Sequence, residues 1–168
     1  MWSCARSTAC RSELRSSHCV QLYRIADARF TPESGEGARL YGGRWNSPGR
    51  AVIYACTSYA GAMLEKLVHT GRTIPKHQVC VTYEFPDDLP VIALDPKTMA
   101  GWRDADYIVS RRAGDAWLLA PTTAILKVPS VVFDVESNAL INPAHPDIAL
   151  IRVVAIEAIR WDDRLFAP

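Results

Sequence analysis

The chain has 168 residues, with 19 basic and 18 acidic side chains, a formal net charge of +1 and a pI near 7.7. Hydrophobic residues make up 49% and charged residues 22%, a globular composition that excludes wholesale disorder. A domain of roughly 150 residues buries about 68–70% of its unfolded surface and needs no disulfide or metal staple. Near-neutral charge excludes a protein that lives on nucleic acid, because phosphate binding demands a marked Lys/Arg surplus. It leaves room for a small anionic ligand held by two or three arginines.

The charge is unevenly spread. Residues 1–19 contain Cys4, Cys10 and Cys19, and set Arg6, Arg11 and Arg15 against Glu13 alone. That segment carries +2, so the remainder carries −1. It lacks the continuous apolar core of a secretory signal, and we read residues 1–19 as a loosely ordered tail before one domain over 20–168. Five cysteines without paired short spacing fit neither a disulfide framework nor a zinc site, and a reduced, cytoplasmic protein is expected. The longest apolar stretch, Ile148 to Ile159, is interrupted by Arg152 and Glu157, so no membrane span is expected.

Val20 to Ile25 reads as a first strand, and the Gly-, Pro- and Ser-rich stretch from Thr31 to Gly43 as a loop. The loop continues as a turn-rich segment from Gly42 to Arg50 around Trp45. Ala51 to Ala55 reads as a buried strand. Thr57 or Ser58 caps a helix that runs to about His69, with Ala60, Met63, Leu64, Leu67 and Val68 as its core stripe and Gly71 just past its end. Val79 to Phe85 and Val91 to Leu94 read as strands, and Asp106 to Leu119 as a second long helix. Ala124 to Val128 and Val131 to Phe133 read as short strands broken at Pro129-Ser130. A rigid loop over 142–146 and a closing strand from Ala149 to Ile159 complete the chain. Strands and helices do not alternate strictly, so a doubly wound parallel sheet is not expected. The fold class is α+β, a single compact domain with a mixed, largely antiparallel sheet.

Several polar residues invite a chemical reading. Glu65 lies at the edge of the helical stripe, with Gly61 one turn earlier leaving space above it. It is either a carboxylate facing a ligand cleft or an ordinary solvated glutamate paired with His69, and periodicity alone favours the second. Tyr54 can stack on a planar ligand group or serve as a core tyrosine with a satisfied hydroxyl. Arg44, among glycines, can make a bidentate contact with phosphate or bridge loop carbonyls. Arg24 ends the first strand, and Ser130 follows a proline. His145 can act as a base or lock its loop, and His18, His69 and His77 lack metal-ligand spacing. Cys56 and Cys80 sit in apolar runs, as buried thiols do. No dinucleotide, Walker A, zinc-protease or nucleophile-elbow motif appears.

Taken in order, Tyr23-Arg24, the run SGEGARLYGGRWNSPGRAVIYA (34–55), AMLEKLVH (62–69), GDAWL (114–118), VPSVV (128–132) and NALINPAHP (138–146) resemble the RES domain family, toxins of bacterial type II toxin–antitoxin pairs. The resemblance spans about residues 20–165. It implies a fold similar to ADP-ribosyltransferase toxins, NAD⁺ as substrate, and no metal. On matching motifs it implies Glu65, Arg44 and Tyr54 as catalytic residues, and Arg24, Arg44, Tyr54 and Ser130 as contacts to NAD⁺. It further implies an Xre-like helix-turn-helix antitoxin that blocks the active-site cleft and supplies the DNA contacts, and it allows a homodimer within that complex. Three products remain open: ADP-ribose passed to water, to phosphate or to a protein. A mono-ADP-ribosyltransferase for one cellular protein and a non-catalytic interaction module on the same scaffold are the alternative readings.

Overall fold

The computed structural model describes residues 18–70, 73–120 and 122–166. Their backbone forms one seven-stranded sheet in the order β4-β5-β6-β2-β1-β3-β7. The strands are β1 (Cys19–Asp27), β2 (Ile53–Cys56), β3 (Gln78–Pro86), β4 (Val91–Ala93), β5 (Ile125–Pro129), β6 (Ser137–Ile141) and β7 (Arg152–Ala158). Only β4 and β5 pair in parallel, and every other neighbour is antiparallel. The expected α+β class with a largely antiparallel sheet is what forms.

Strand alternation sorts the side chains onto two faces. Leu22, Ile53, Ala55, Val81, Tyr83, Ile125, Ala139 and Ile141 build a first core, into which Phe85 and Leu89 also pack. Leu126, Val128 and Leu140 join Trp45, Val52, Trp102 and Trp117 in a second. Among the described residues, three α-helices accompany the sheet: α1 (Glu36–Tyr41), α2 (Tyr59–Thr70) and α3 (Ile108–Leu119). Trp117 of α3 joins the second core, and Tyr59 of α2 sets its ring edge-on to Tyr23 of β1.

Several expectations change. The stretch expected to be a loop from Thr31 to Gly43 contains the short helix α1, held by a Glu36–Arg39 pair one turn apart. Val131 to Phe133 is not a strand, because Ser130 Oγ accepts from the amides of Val132 and Phe133 and closes a tight turn there. The sixth strand instead starts at Ser137. The closing strand is shorter than expected, since a 3-10 turn takes Pro146–Leu150 first. Ser58 caps α2, its Oγ accepting from the Gly61 amide. The stripe assigned to that helix is rotated: Leu64 and Val68 are exposed, while Gly61 and Ala62 are buried. Gly61 is buried against the side chains of Phe133, Ser58 and Glu136, which leave no room for a β-carbon. Gly71 and residues 1–17 lie outside the described residues.

The segment from Gly43 to Arg50 is nailed onto α3. Asp115 accepts from the Ser47 amide and hydroxyl at 2.9 and 2.6 Å and pairs with Arg50 at 3.1 Å. Arg111 Nε donates to the Gly43 carbonyl at 2.9 Å. Gly114 permits this approach: a β-carbon there would overlap the Trp45 carbonyl oxygen and stand 2.8 Å from its carbon. Both partners are backbone and neither can swing away. Gly114→Ala should therefore cost about 3 kcal/mol, the upper end of core overpacking. The melting temperature should drop by roughly 6–12 °C in a chain of this size, and a thermal melt within two degrees of wild type would contradict the packing described.

Candidate active site

The site is organised from β2. Its residues Tyr54 and Cys56 are two apart, so both project to the face opposite Ile53 and Ala55. Across the ladder, Tyr54 pairs with Leu140 and Cys56 with Asn138. Tyr54 serves the loop that carries Arg44, and Cys56 serves the corner that holds Glu65.

At the first position, the Tyr54 hydroxyl donates to Asn46 Oδ1 at 2.8 Å and accepts from the Trp45 amide at 3.0 Å. Burial pushes its phenol pKa up, so the hydroxyl keeps its proton. Asn46 is fully buried and donates to the Ala38 and Arg50 carbonyls. Tyr54 is thus spent on holding the loop. The side chain packs against the second core, and its visible work is to place its neighbour's arginine rather than to present a free hydroxyl.

Arg44 leaves that loop and turns toward the start of α3. Its Nη1 donates to the Trp102 and Asp104 carbonyls at 3.1 and 3.2 Å. The guanidinium lies 4.3 Å from the ring centroid of Tyr107, and Arg111 lies 5.3 Å from the same ring, both within cation–π range. Tyr107 itself has φ of 62°, a conformation that costs a bulky residue energy and recurs at functional sites. Nε and Nη2 of Arg44 have no hydrogen bond among the described residues, leaving two donors for an anion.

At the second position, Glu65 Oε1 accepts from Ser130 Oγ at 2.8 Å and Asn138 Nδ2 at 2.6 Å. Its Oε2 meets no donor among the described residues. The space expected above Gly61 is filled: a β-carbon there would meet Phe133 at 3.0 Å and Glu136 at 3.2 Å. Glu136 in turn accepts from Ser58 Oγ. Ser130 also lines a cleft of about 340 Å³, with Pro96, Lys97, Trp102, Arg103, Pro129 and Asp134. That volume falls within the range of small-molecule sites. Trp102, which lines the cleft, also offers its carbonyl to Arg44. Arg103 and Asp134 form an ion pair at its side.

Arg24 is set apart from this group. In β1 it pairs with Val81, so alternation starts its side chain on the face of Leu22 and Val81 rather than on that of Tyr54 and Glu65. Its Nη1 donates to the Tyr54 carbonyl at 3.3 Å, next to the only residue pair that β1 and β2 share. Its Nε is buried without a partner among the described residues. Burial lowers its pKa, and Tyr83 offsets part of the effect. Of the five residues singled out, the structure brings Glu65 and Ser130 into contact and Arg24 onto the backbone of Tyr54. Arg44 joins Tyr54 through Trp45.

Three contributors escaped the sequence reading. Asn138, Asp115 and Arg111 lie inside or beside quoted motifs, but no spacing rule links them to partners 65 or more residues away. His145 is structural, its Nδ1 accepting from the Asp147 amide at 3.1 Å. Among the described residues, no group of three His, Cys, Asp or Glu side chains is placed to hold a metal, and no helix is long and apolar enough to cross a membrane.

Cys56 is buried and free. Burial first, then the charges of Glu65 and Glu136, push its thiol from 9.0 up to about 12. Burial raises the Tyr83 phenol from 10.0 to about 12. Both groups ionise more easily unfolded, so the stability they lend is complete below about pH 9 and is lost as pH rises toward 12. The urea midpoint should fall over that window, and less steeply in Cys56→Ser. Iodoacetamide at pH 8 should leave Cys56 unlabelled in the folded chain and label it in urea; rapid labelling when folded would contradict the buried thiol.

The family model of the RES domain matches residues 21–162. The Prs ADP-ribosylating toxin of Sphingobium is 39% identical over 156 residues, covering 87% of this chain and 96% of that one. Toxin Res of Pseudomonas putida is 34% identical over 148 residues, covering 86% and 99%. Among solved structures, the M. tuberculosis MbcT–MbcA toxin–antitoxin complex contains a chain of the same fold, with a TM-score of 0.67 at 20% identity, covering 89% of this chain and 88% of that one. The chain belongs to the RES domain family.

Proposed function

We propose that this protein is the toxin of a bacterial toxin–antitoxin pair, and that it consumes NAD⁺ by cleaving the bond between nicotinamide and ribose. The observation that carries the reading is Glu65, held through one carboxylate oxygen with the other open, beside a cleft that Ser130 and Trp102 line. The relatives named Toxin Res and Prs ADP-ribosylating toxin support the same activity.

The chemistry asks little of the protein. Nicotinamide in NAD⁺ is a cation and leaves neutral, taking the electron pair of the broken C–N bond. No general acid is needed, in contrast to ordinary glycoside hydrolysis with its two carboxylates. One carboxylate suffices to bind the ribose hydroxyls and stabilise the positive charge that develops on the sugar. Glu65 takes that role through Oε2. Arg44, with two donors left and a rigid aromatic beneath it, holds the pyrophosphate. Ser130 contributes by fixing Glu65, and Tyr54 by fixing the loop of Arg44. Arg24 supports the Tyr54 carbonyl and adds positive charge from beneath the strand. The acceptor then supplies a lone pair to the anomeric carbon: water gives ADP-ribose, phosphate gives its phosphorylated form, and a side chain gives a modified protein. The printed name of the Sphingobium relative favours a protein acceptor as the second reading.

The partner in this reading is a helix-turn-helix antitoxin that covers the cleft and binds DNA in the toxin's place. The similarity to a chain from a toxin–antitoxin complex supports a partner of this kind, and the near-neutral charge suits the division of labour. A homodimer within the complex and a cytoplasmic site of action belong to the same proposal. Purified protein should release nicotinamide from NAD⁺, and Glu65→Gln should lower the rate by about 10²–10³-fold with folding intact, the scale for losing one charge-stabilising group. Arg44→Ala should chiefly raise KM for NAD⁺. An unchanged rate in Glu65→Gln would reject the assigned role, and product mass with and without phosphate and lysate would identify the acceptor.

A further inference from the structure

Both donors to Glu65 reach the same oxygen, and one of them is itself held from behind. Asn138 Nδ2 lies 2.6 Å from Glu65 Oε1, while Asn138 Oδ1 lies 3.0 Å from Cys56 Sγ. We propose that Asn138, turned by the Cys56 thiol, is a positioning residue that clamps Glu65 by one carboxylate oxygen and leaves the other for the substrate.

An asparagine amide can be set either way round, and its partners decide which. Were Oδ1 turned to Glu65, two acceptors would face each other. The thiol prevents this by offering its single hydrogen to Oδ1. It retains that hydrogen because burial and the nearby acids Glu65 and Glu136 keep it protonated. Position is fixed as firmly as orientation. Asn138 sits on β6 between Cys56 of β2 and Val128 of β5 as ladder partners, and directly opposed side chains on one face are in reach of each other. The second donor, Ser130 Oγ, has its lone pairs occupied by the Val132 and Phe133 amides, so its hydrogen points to Glu65. The carboxylate is therefore gripped from the sheet and from the turn after β5. Its free oxygen is left without a competing donor among the described residues. The other acid at this corner, Glu136, is engaged by Ser58.

The inference rests on Glu65 as the reacting carboxylate, and its test separates the two. In the full-length chain, Asn138→Ala should lower kcat for nicotinamide release by about ten- to a hundredfold, the worth of one hydrogen bond to a charged group, with KM little changed. Asn138→Asp should lower it further by setting carboxylate against carboxylate. Loss of kcat at little-changed KM is a split that a merely structural role would not give. Cys56→Ser keeps a donor and should retain most of the rate, whereas Cys56→Ala should not. A readout independent of activity is the Asn138 side-chain amide in a proton–nitrogen correlation spectrum, which should shift in Glu65→Gln and in Cys56→Ala. Wild-type kcat in folded Asn138→Ala and Asn138→Asp would overturn the proposal, as would an amide unmoved in both spectra. If the wild-type chain releases no nicotinamide, the functional reading falls and the amide spectrum alone decides the clamp.

Discussion

β2 is four residues long and lies fourth of the seven strands, and both halves of the site hang from it. Pleating alone places Ile53 and Ala55 in one core and turns Tyr54 and Cys56 to the opposite face. Tyr54 secures the loop of Arg44, and Cys56 secures Asn138 and through it Glu65. A slip of one residue in this strand would exchange the two faces. It would bury both polar side chains in the first core and dismantle the loop and the carboxylate together. The register is protected by the antiparallel pairing of all four residues with β6.

The loop over 43–50 shows how an irregular segment is made rigid. A stretch without repeating hydrogen bonds must satisfy its backbone by other means. Here buried polar side chains replace the ladder: Asn46 serves two carbonyls and the Tyr54 hydroxyl, and Asp115 serves the Ser47 amide. Each bond contributes about 1 kcal/mol net, but each buried group left unpaired would cost more. The network therefore holds together or fails together. Trp45 completes it by entering the second core and stacking on Trp102 at 6.1 Å. Arg44 inherits this rigidity, and its guanidinium comes to rest against Tyr107, whose left-handed backbone is sustained by the surrounding packing.

Membership of the RES domain family follows from the ordered motifs, and the structure explains why they travel as a set. The Tyr-Arg of β1 meets the carbonyl of Tyr54. The glycine of the motif in α3 makes room for the tryptophan of the loop, and its aspartate holds the serine two residues on. The asparagine that opens the last motif meets the glutamate of α2 and the cysteine of β2. Each motif supplies one side of a contact that another completes, so the long separations in sequence disappear in the fold.

Much of the architecture could be read in advance. Apolar runs with turn residues between them located β1, β2, β3, β4 and β5, and the serine before an amphipathic stretch located the start of α2. The reading failed where local pattern and tertiary demand diverge. Leu64 and Val68 look like core residues by period, yet they are exposed, and the buried Gly61 lies against the side chains of Phe133 and Glu136 from the segment between β5 and β6. The turn after Pro129 looks like strand by composition, yet Ser130 captures two amides and ends the pairing. Glu65, Arg44, Tyr54 and Ser130 were legible as candidates, since polar residues in apolar or glycine-rich settings stand out. Their division of labour was not. Local chemistry is written in neighbours one to four residues apart, and to that extent the sequence by itself determined the elements, the class of fold, the near-neutral charge and the family. Which carboxylate oxygen is held, which arginine has donors to spare, and that Asn138 and Asp115 matter at all depend on contacts between residues 58 to 82 positions apart. Only the tertiary structure, by pairing β2 with β6 and pressing a loop onto α3, could decide them.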